Sequence, residues 1–425
     1  MSKMDGVGCL GGVAERRSLL PNRQMPEKTS PQSKAAVENR GSETKRDSEP
    51  KTGYKDRFWI PRFWDGMGVR GWFSLLIRNK FAVSPICIGM AVLIAILSVI
   101  NWALWVVQVV FYGRKIKRTT IDQAPIFVIG HWRSGTTLLH ELLVRDKRNT
   151  YPDTYACFAP NHFLASGWWM KPCLKMLLPS RRPIDNMPAG WDHPQEDEFA
   201  LCNMGVRSPY LTITFPNHKP QDQEYLDFQG VSEANKDRWK AMFLWFLKCV
   251  TVQNPKRIVL KSPPHTARIR VLLEMFPNAK FVHITRNPYT IFPSTMNLWK
   301  RLYRDEGLQV PTCEGLENYV FDTFNQMYEA FDHDRGLLGD GQFCEVRYEN
   351  LIANPMAEMQ RVYKELELGD FEAVRSGVED YFTGQKDYKT NRYQMTPELE
   401  AQITRRWGKF LDKYGYAKRE PAGQS

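Results

Sequence analysis

The chain has 425 residues and a formal net charge of +11, with 58 Lys and Arg against 47 Asp and Glu. That length accommodates one large domain with appendages. The basic residues are dispersed and no zinc finger or RNA-recognition motif occurs, so no nucleic-acid partner is expected, and a cationic surface facing anionic lipid or a polyanionic substrate fits better. The eight cysteines lie far apart with no C-x-x-C or metal-ligand spacing, which argues against a disulfide framework or a cysteine metal site and suits reduced thiols.

In chain order, residues 1–52 form a polar and basic stretch poor in aromatics. Such a segment cannot bury enough apolar surface to offset its ordering entropy and is expected to be disordered. Met1 to Leu20 has no apolar core of a secretory signal. Residues 53–118 read as membrane-associated. Phe81 to Gly113 carries no charge, and Ile86 to Ile100 is nearly continuous aliphatic. This exceeds the roughly 20 residues that cross a bilayer, so a single transmembrane helix is expected over about 81–112. The run is either one tilted helix or a span followed by an interfacial stretch after Asn101, with a buried core helix as the alternative. Trp102, Trp105 and Tyr112 suit an interfacial belt, with Arg114, Lys115, Lys117 and Arg118 just outside it. Basic residues flank both ends, and the balance tilts towards a cytoplasmic C-terminal side. The absence of any Asn-x-Ser/Thr sequon agrees, while a Golgi-type luminal placement stays open for a eukaryotic chain.

Residues 119–425 read as the catalytic domain. Ile126 to Ile129 is an apolar strand, Gly130 to Thr137 a tight turn, and Ser134 to Leu143 the start of an amphipathic helix. Backbone N–H groups and the helix dipole make such a junction an anion cradle. The spacing Gly130-x4-Gly135 equals that of a nucleotide P-loop, but Thr136 stands where that motif needs Lys, and a cation comes earlier, at Arg133. Further strands near Ile258, Phe281 and Cys344 alternate with helices. The alternation predicts an α/β fold, a central mostly parallel sheet flanked by helices, with ligands beyond the C-terminal strand ends. Arg133, Lys261 and Arg286 all fall at such ends, which points to one anion site.

The string Arg133-Ser134-Gly135-Thr136-Thr137 after a strand resembles the 5′-phosphosulfate loop of sulfotransferases, which use 3′-phosphoadenosine 5′-phosphosulfate (PAPS). The second half of that family's signature is a strand ending in Arg, then Asn-Pro, with Ser eight residues on; Arg286-Asn287-Pro288 and Ser294 match it, and Thr290 replaces the usual Asp. The resemblance covers about Pro125 to Tyr393 and implies a P-loop-NTPase-like sulfotransferase fold. It implies that the amides around Arg133 to Thr137, with the Ser134, Thr136 and Thr137 hydroxyls, hold the 5′-phosphate, while Arg133 neutralises the bridging oxygen. Arg286 and Ser294 would hold the 3′-phosphate, as a guanidinium and a hydroxyl are suited to do. Lys261 would lie close to the sulfuryl group. Some members have a catalytic His directly after this segment; here that position is Pro263, and His265 comes two residues late, either as a base or as a cap of a helix starting near Thr266. Lys386, Lys389 and Arg392 are candidates for the family's C-terminal basic loop over the nucleotide.

Moving a sulfuryl group to a hydroxyl, or an amine, needs a base for the acceptor proton in line with the leaving phosphate. Flanking cations stabilise the spread charge, so no metal is required. The run Trp191-Asp-His-Pro-Gln-Glu-Asp-Glu198, at a helix start, resembles one in bacterial sulfotransferases. Glu196 is the first candidate base, then Glu198 and His193, although acids at a helix N-terminus also serve as dipole partners. The expected activity is therefore membrane-anchored, PAPS-dependent transfer to a carbohydrate, lipid or glycolipid. The alternatives are a P-loop nucleotide kinase or NTPase, which the missing Lys disfavours, and a non-catalytic membrane scaffold. The sequence does not specify an oligomeric state.

Overall fold

The structure, a computed structural model, describes residues 61–175, 190–384 and 395–419. The tail 1–52 and the basic-loop candidates Lys386, Lys389 and Arg392 lie outside the described residues.

Five strands form one sheet: β1 (Ile126–Ile129), β2 (Asn149–Thr150), β3 (Arg257–Lys261), β4 (Lys280–Thr285) and β5 (Phe343–Arg347). Their order is β2-β3-β1-β4-β5, and every pairing is parallel. Ile126 stands opposite Val259 on one side and Lys280 on the other. The four residues of β1 are all buried because helices cover both faces of the sheet. Side chains alternate between two cores, as strand pleating requires. Phe127, Ile129, Leu260 and Phe281 join one core with helices Glu233–Gln253, Pro288–Glu306, Leu316–Asp334 and Pro397–Lys413. Ile126, Val128, Val259 and Val282 join the other, with helices Thr136–Leu143, Pro355–Glu365 and Glu372–Gly384. The four expected strands are present; the two-residue β2 at the sheet edge is too short to leave a pattern in sequence.

The connections leave β1 towards β3 on one side and reach β4 on the other. The crevice beyond the C-terminal end of β1 is thus the switch point where such sheets bind ligands.

The apolar helix runs Ile88–Arg118, later than the expected 81–112. Pro85 opens a 3-10 turn, Pro85–Cys87, and Lys80 and Phe81 adopt left-handed φ of 50° and 54°, so the chain cannot be helical from Phe81. By length and composition the helix is long and apolar enough to cross a membrane. One side packs on helices Val69–Arg78, Phe163–Leu174 and Glu233–Gln253.

Candidate active site

The loop after β1 is shaped by two glycines. Gly130 (φ +145°) and Gly135 (φ +110°) lie where side chains are strained, and neither has room for one. A Cβ on Gly130 would come 2.6 Å from Ile284 O, and one on Gly135 would come 2.5 Å from Tyr348 Cδ2. Gly130 N–H donates to Thr266 Oγ1 at 2.7 Å, anchoring the loop to the segment after β3. The Ser134 hydroxyl donates to His131 O at 2.7 Å, so its proton closes the turn rather than facing a ligand. Gly135 is the N-cap of helix Thr136–Leu143 and no side chain caps that end, which leaves its first amides to the loop. Thr136 is buried at the helix start, and Thr137 beside it is half-buried.

The two phosphate motifs of the sequence meet in space. Arg133 Nε donates to Ser294 Oγ at 3.0 Å, and Arg286 Nη1 donates to Arg133 O at 3.1 Å. The Arg286 guanidinium lies 4.0 Å from the centre of the Tyr348 ring, which orients it by a cation–π contact. Arg286 follows β4, and the turn into helix Pro288–Glu306 is fixed by Asn287, whose side chain accepts from Tyr289 N–H and whose own N–H donates to Glu349 Oε1 at 3.0 Å. Arg133 therefore points at Ser294, the expected 3′-phosphate ligand.

Lys261 ends β3, and its side chain is only 2% exposed. Its Nζ donates to Glu196 Oε1 at 2.6 Å. Glu196 Oε2 accepts from the Tyr210 hydroxyl, which in turn accepts from Trp132 Nε1 at 2.9 Å. Burial, and then the charge of Glu196, push the Tyr210 hydroxyl well above the usual tyrosine range, so it stays a donor.

The three successive acids have three different surroundings. Glu196, whose side chain is 15% exposed, is the one with access to solvent. Asp197 is fully buried and accepts from His265 Nε2 at 2.6 Å and from Ser262 Oγ at 3.0 Å. Burial would raise its carboxyl, but the imidazole and the hydroxyl outweigh burial and hold it below the usual range. Glu198 is fully buried in a bidentate pair with Arg268, at 2.6 and 3.0 Å, and also accepts from Ser208. Glu198 and His265 are both fully buried against these partners, and the His265 ring does not cap a helix, since the following helix begins at Ile269 with no side-chain cap. His193 lies elsewhere, its Nδ1 3.8 Å from Glu141 Oε1.

A sequence model of the sulfotransferase family matches residues 125–372, from the residue before β1 to the start of helix Glu372–Gly384. This chain is a sulfotransferase. The match encloses the loop, both arginines, Lys261 and the three acids, and it sets the enzyme apart from nucleotide kinases. The sulfotransferase is 45% identical over 365 residues to the omega-hydroxy-beta-dihydromenaquinone-9 sulfotransferase Stf3 of Mycobacterium bovis (strain ATCC BAA-935 / AF2122/97), covering 86% of this chain and 94% of that one. The same figures hold for Stf3 of Mycobacterium tuberculosis (strain CDC 1551 / Oshkosh). Among solved structures it shares its fold with sulfotransferase STF1 of Mycobacterium tuberculosis H37Rv, at TM-score 0.58 and 18% identity, over 83% of this chain and 94% of that one. Sulfotransferase STF9 of Mycobacterium avium gives 0.55 and 18%, over 74% and 83%.

Sequence reasoning did not anticipate Tyr210, which bonds the sulfotransferase's Glu196, or Trp132, which bonds Tyr210, nor Arg268 and Tyr348, which hold Glu198 and Arg286. An isolated Tyr or Arg in a mixed stretch carries no local signal; only the tertiary contact distinguishes it.

Proposed function

We propose that this sulfotransferase moves a sulfuryl group from PAPS to a hydroxyl of a membrane-resident lipid. The observation that carries the reading is the meeting of Arg133, Arg286 and Ser294 beside the glycine-bounded loop, a donor set that fits a nucleotide with two separate phosphate sites. When bound, PAPS supplies the sulfuryl group and the phosphate that departs. The amides of residues 133–137, with Thr136 and Thr137, hold the 5′-phosphate; Ser134 shapes that loop. Arg286 and Ser294 hold the 3′-phosphate, and Arg133, bonded to Ser294, adds charge between the two. Lys386, Lys389 and Arg392 remain candidates to cover the nucleotide. Lys261 neutralises charge developing on the sulfuryl oxygens. Glu196 is the base, taking the acceptor's proton on a carboxylate oxygen, and Tyr210 and Lys261 fix its orientation.

A lipid acceptor is favoured over a carbohydrate on two grounds. The Stf3 relatives are named for a hydroxylated menaquinone, an isoprenoid lipid. The enzyme also carries a helix that is free of charge from Ile88 to Gly113 and has an exposed aliphatic face. Calorimetry with 3′-phosphoadenosine 5′-phosphate against ATP·Mg, in the native enzyme and in Arg286→Ala, tests the nucleotide. Metal-free binding of the bisphosphate, lost in the variant, is expected; equal binding of ATP·Mg would overturn the reading. Sulfate transfer from labelled PAPS to an omega-hydroxylated isoprenoid quinone, compared with a simple sugar, tests the acceptor class.

A further inference from the structure

The helix Ile88–Arg118 is about 46 Å long at 1.5 Å per residue, yet both of its ends are tied to the same domain. At the N-terminal end, Ser84 N–H donates to Leu308 O at 3.0 Å, and Gln309 Nε2 donates to Ala82 O at 2.8 Å. At the C-terminal end, Lys248 Nζ reaches Lys117 O at 3.3 Å. Between them runs a polar stripe that also bonds the domain. Asn101 Nδ2 donates to the carbonyls of Asp65 and Met67, at 3.0 and 3.2 Å, while its Oδ1 lies 3.2 Å from His162 Nε2. Gln108 Oε1 accepts from Leu164 N–H at 2.8 Å. Positions 94, 98, 101, 108 and 116 fall on one side of a helix, and that side is turned to the domain.

If this helix crossed a bilayer, its neighbours would cross with it. Helix Glu233–Gln253 packs alongside and carries Lys236, Asp237, Arg238, Lys240 and Lys248; helix Phe163–Leu174 carries Lys171, paired with Asp153 and Asp192. Each charge at hydrocarbon depth is strongly unfavourable. The side facing away from the domain has the opposite character, with Val92, Ile96, Val99, Val110 and Phe111 all exposed and Trp168 80% exposed on the adjoining helix.

Between this helix and the domain lies a cavity of about 500 Å³. Trp102 and Trp105 of the apolar helix line it together with Arg70, Arg78, Arg207 and Arg238, and among the described residues no carboxylate lines it. Asp222, which is not among the lining residues, pairs with Arg78 at 2.8 Å and lies 3.9 Å from Arg207. Tryptophan and arginine together suit the headgroup zone, where rings sit between water and acyl chain and guanidiniums meet phosphate.

We infer that the enzyme is monotopic: the helix Ile88–Arg118 lies on one leaflet with its aliphatic side in the membrane, and the arginine-lined cavity beside it takes the phosphate of an anionic phospholipid. This rests on the membrane reading of the proposed function and replaces a single transmembrane pass by face-on docking. The geometry is that of an interfacial helix, bound through one apolar side and strengthened by anionic lipid.

The test uses the full chain with Cys9, Cys173 and Cys313 changed to Ser and with Lys80→Cys and Lys117→Cys introduced, one at each end of the helix. The protein is bound to sealed phosphatidylcholine–phosphatidylglycerol vesicles, treated with a membrane-impermeant maleimide and weighed intact. Both positions are first shown to react in detergent. Molecules carrying two labels or none are expected, whatever their orientation; one label per molecule would place the ends on opposite sides and overturn the inference while leaving the membrane reading intact. Failure to float with any vesicle would overturn both. Flotation of the native chain should strengthen with phosphatidylglycerol and weaken about fivefold for each of Arg70→Ala and Arg238→Ala. The same affinity for pure phosphatidylcholine, or unchanged flotation in the variants, would overturn the headgroup site. Bisphosphate binding by calorimetry confirms that each variant is folded, and inorganic phosphate at millimolar concentration should not displace the protein from vesicles.

Discussion

Lys261 Nζ lies 2.6 Å from Glu196 Oε1, joining the cation that closes β3 to the one partly exposed carboxylate of an acidic run. The pair is joined to the loop after β1 through Tyr210 and Trp132, so carboxylate, cation and loop are held as one unit.

Glu196→Gln keeps the shape and the contact with Tyr210 but removes the carboxylate proposed as the base. Transfer should fall about a hundredfold to ten-thousandfold, with bisphosphate affinity nearly unchanged. Steady-state rates beside calorimetry check this. Retention of more than a tenth of the rate would move the base elsewhere.

Arg286→Ala removes the guanidinium stacked on Tyr348 and bonded to the Arg133 carbonyl. The loss of charge-assisted bonds to phosphate should weaken bisphosphate binding about tenfold to a hundredfold. Arg286→Lys should recover only part of it, because an ammonium neither stacks as well nor binds two oxygens at once. A lysine variant with full affinity would contradict the assignment.

Glu198 and Arg268 are expected to matter for stability. Glu198→Ala strands a fully buried guanidinium and should cost about 3–5 kcal/mol in urea unfolding. Changing both residues to apolar ones of similar size should cost less than either single change. If Glu198→Gln instead abolished transfer in a protein of native stability, Glu198 would be the base.

Acid should destabilise the fold through buried neutral histidines. Burial pushes His131 and His140 each down to about 3, with the charge of Lys261 a second cause at His140. Unfolded, they titrate near the ordinary 6.5. Between these values the unfolded chain binds protons that the folded one refuses, so stability falls as pH drops from about 6.5 towards 3. Each group contributes up to about 1.4 kcal/mol per pH unit. Urea midpoints at pH 7, 5.5 and 4.5 measure the slope, which His131→Leu should make shallower even if it lowers stability at pH 7. An unchanged slope would mean that His131 is protonated in the native state.

Much of the fold was readable because its signals are local. β1, β3, β4 and β5 each combine an apolar run with a punctuating Gly or cation, and the loop announces itself by Gly130 and Gly135. Glu196 is ranked ahead of Glu198 and His193 from the sequence, but the different surroundings of Glu196, Asp197 and Glu198 were not readable. Successive residues on a helix point about 100° apart, and their partners Lys261, His265 and Arg268 come from one segment about 65 to 70 positions later. The same holds for the apolar helix: its hydropathy marked it as membrane-seeking, but only the bonds of Asn101 and Gln108 to the domain show which side is covered.

By itself, the sequence determined the parallel α/β sheet, the glycine-bounded loop after β1 and the family, since strand pleating, glycine conformations and strand-end cations are properties of neighbouring residues. The tertiary structure decided which carboxylate stays open, where the Arg133 side chain points and how the apolar helix is attached. Those depend on distant side chains that compete to satisfy buried charges, and a buried charge settles on the partner that folding brings within hydrogen-bond reach.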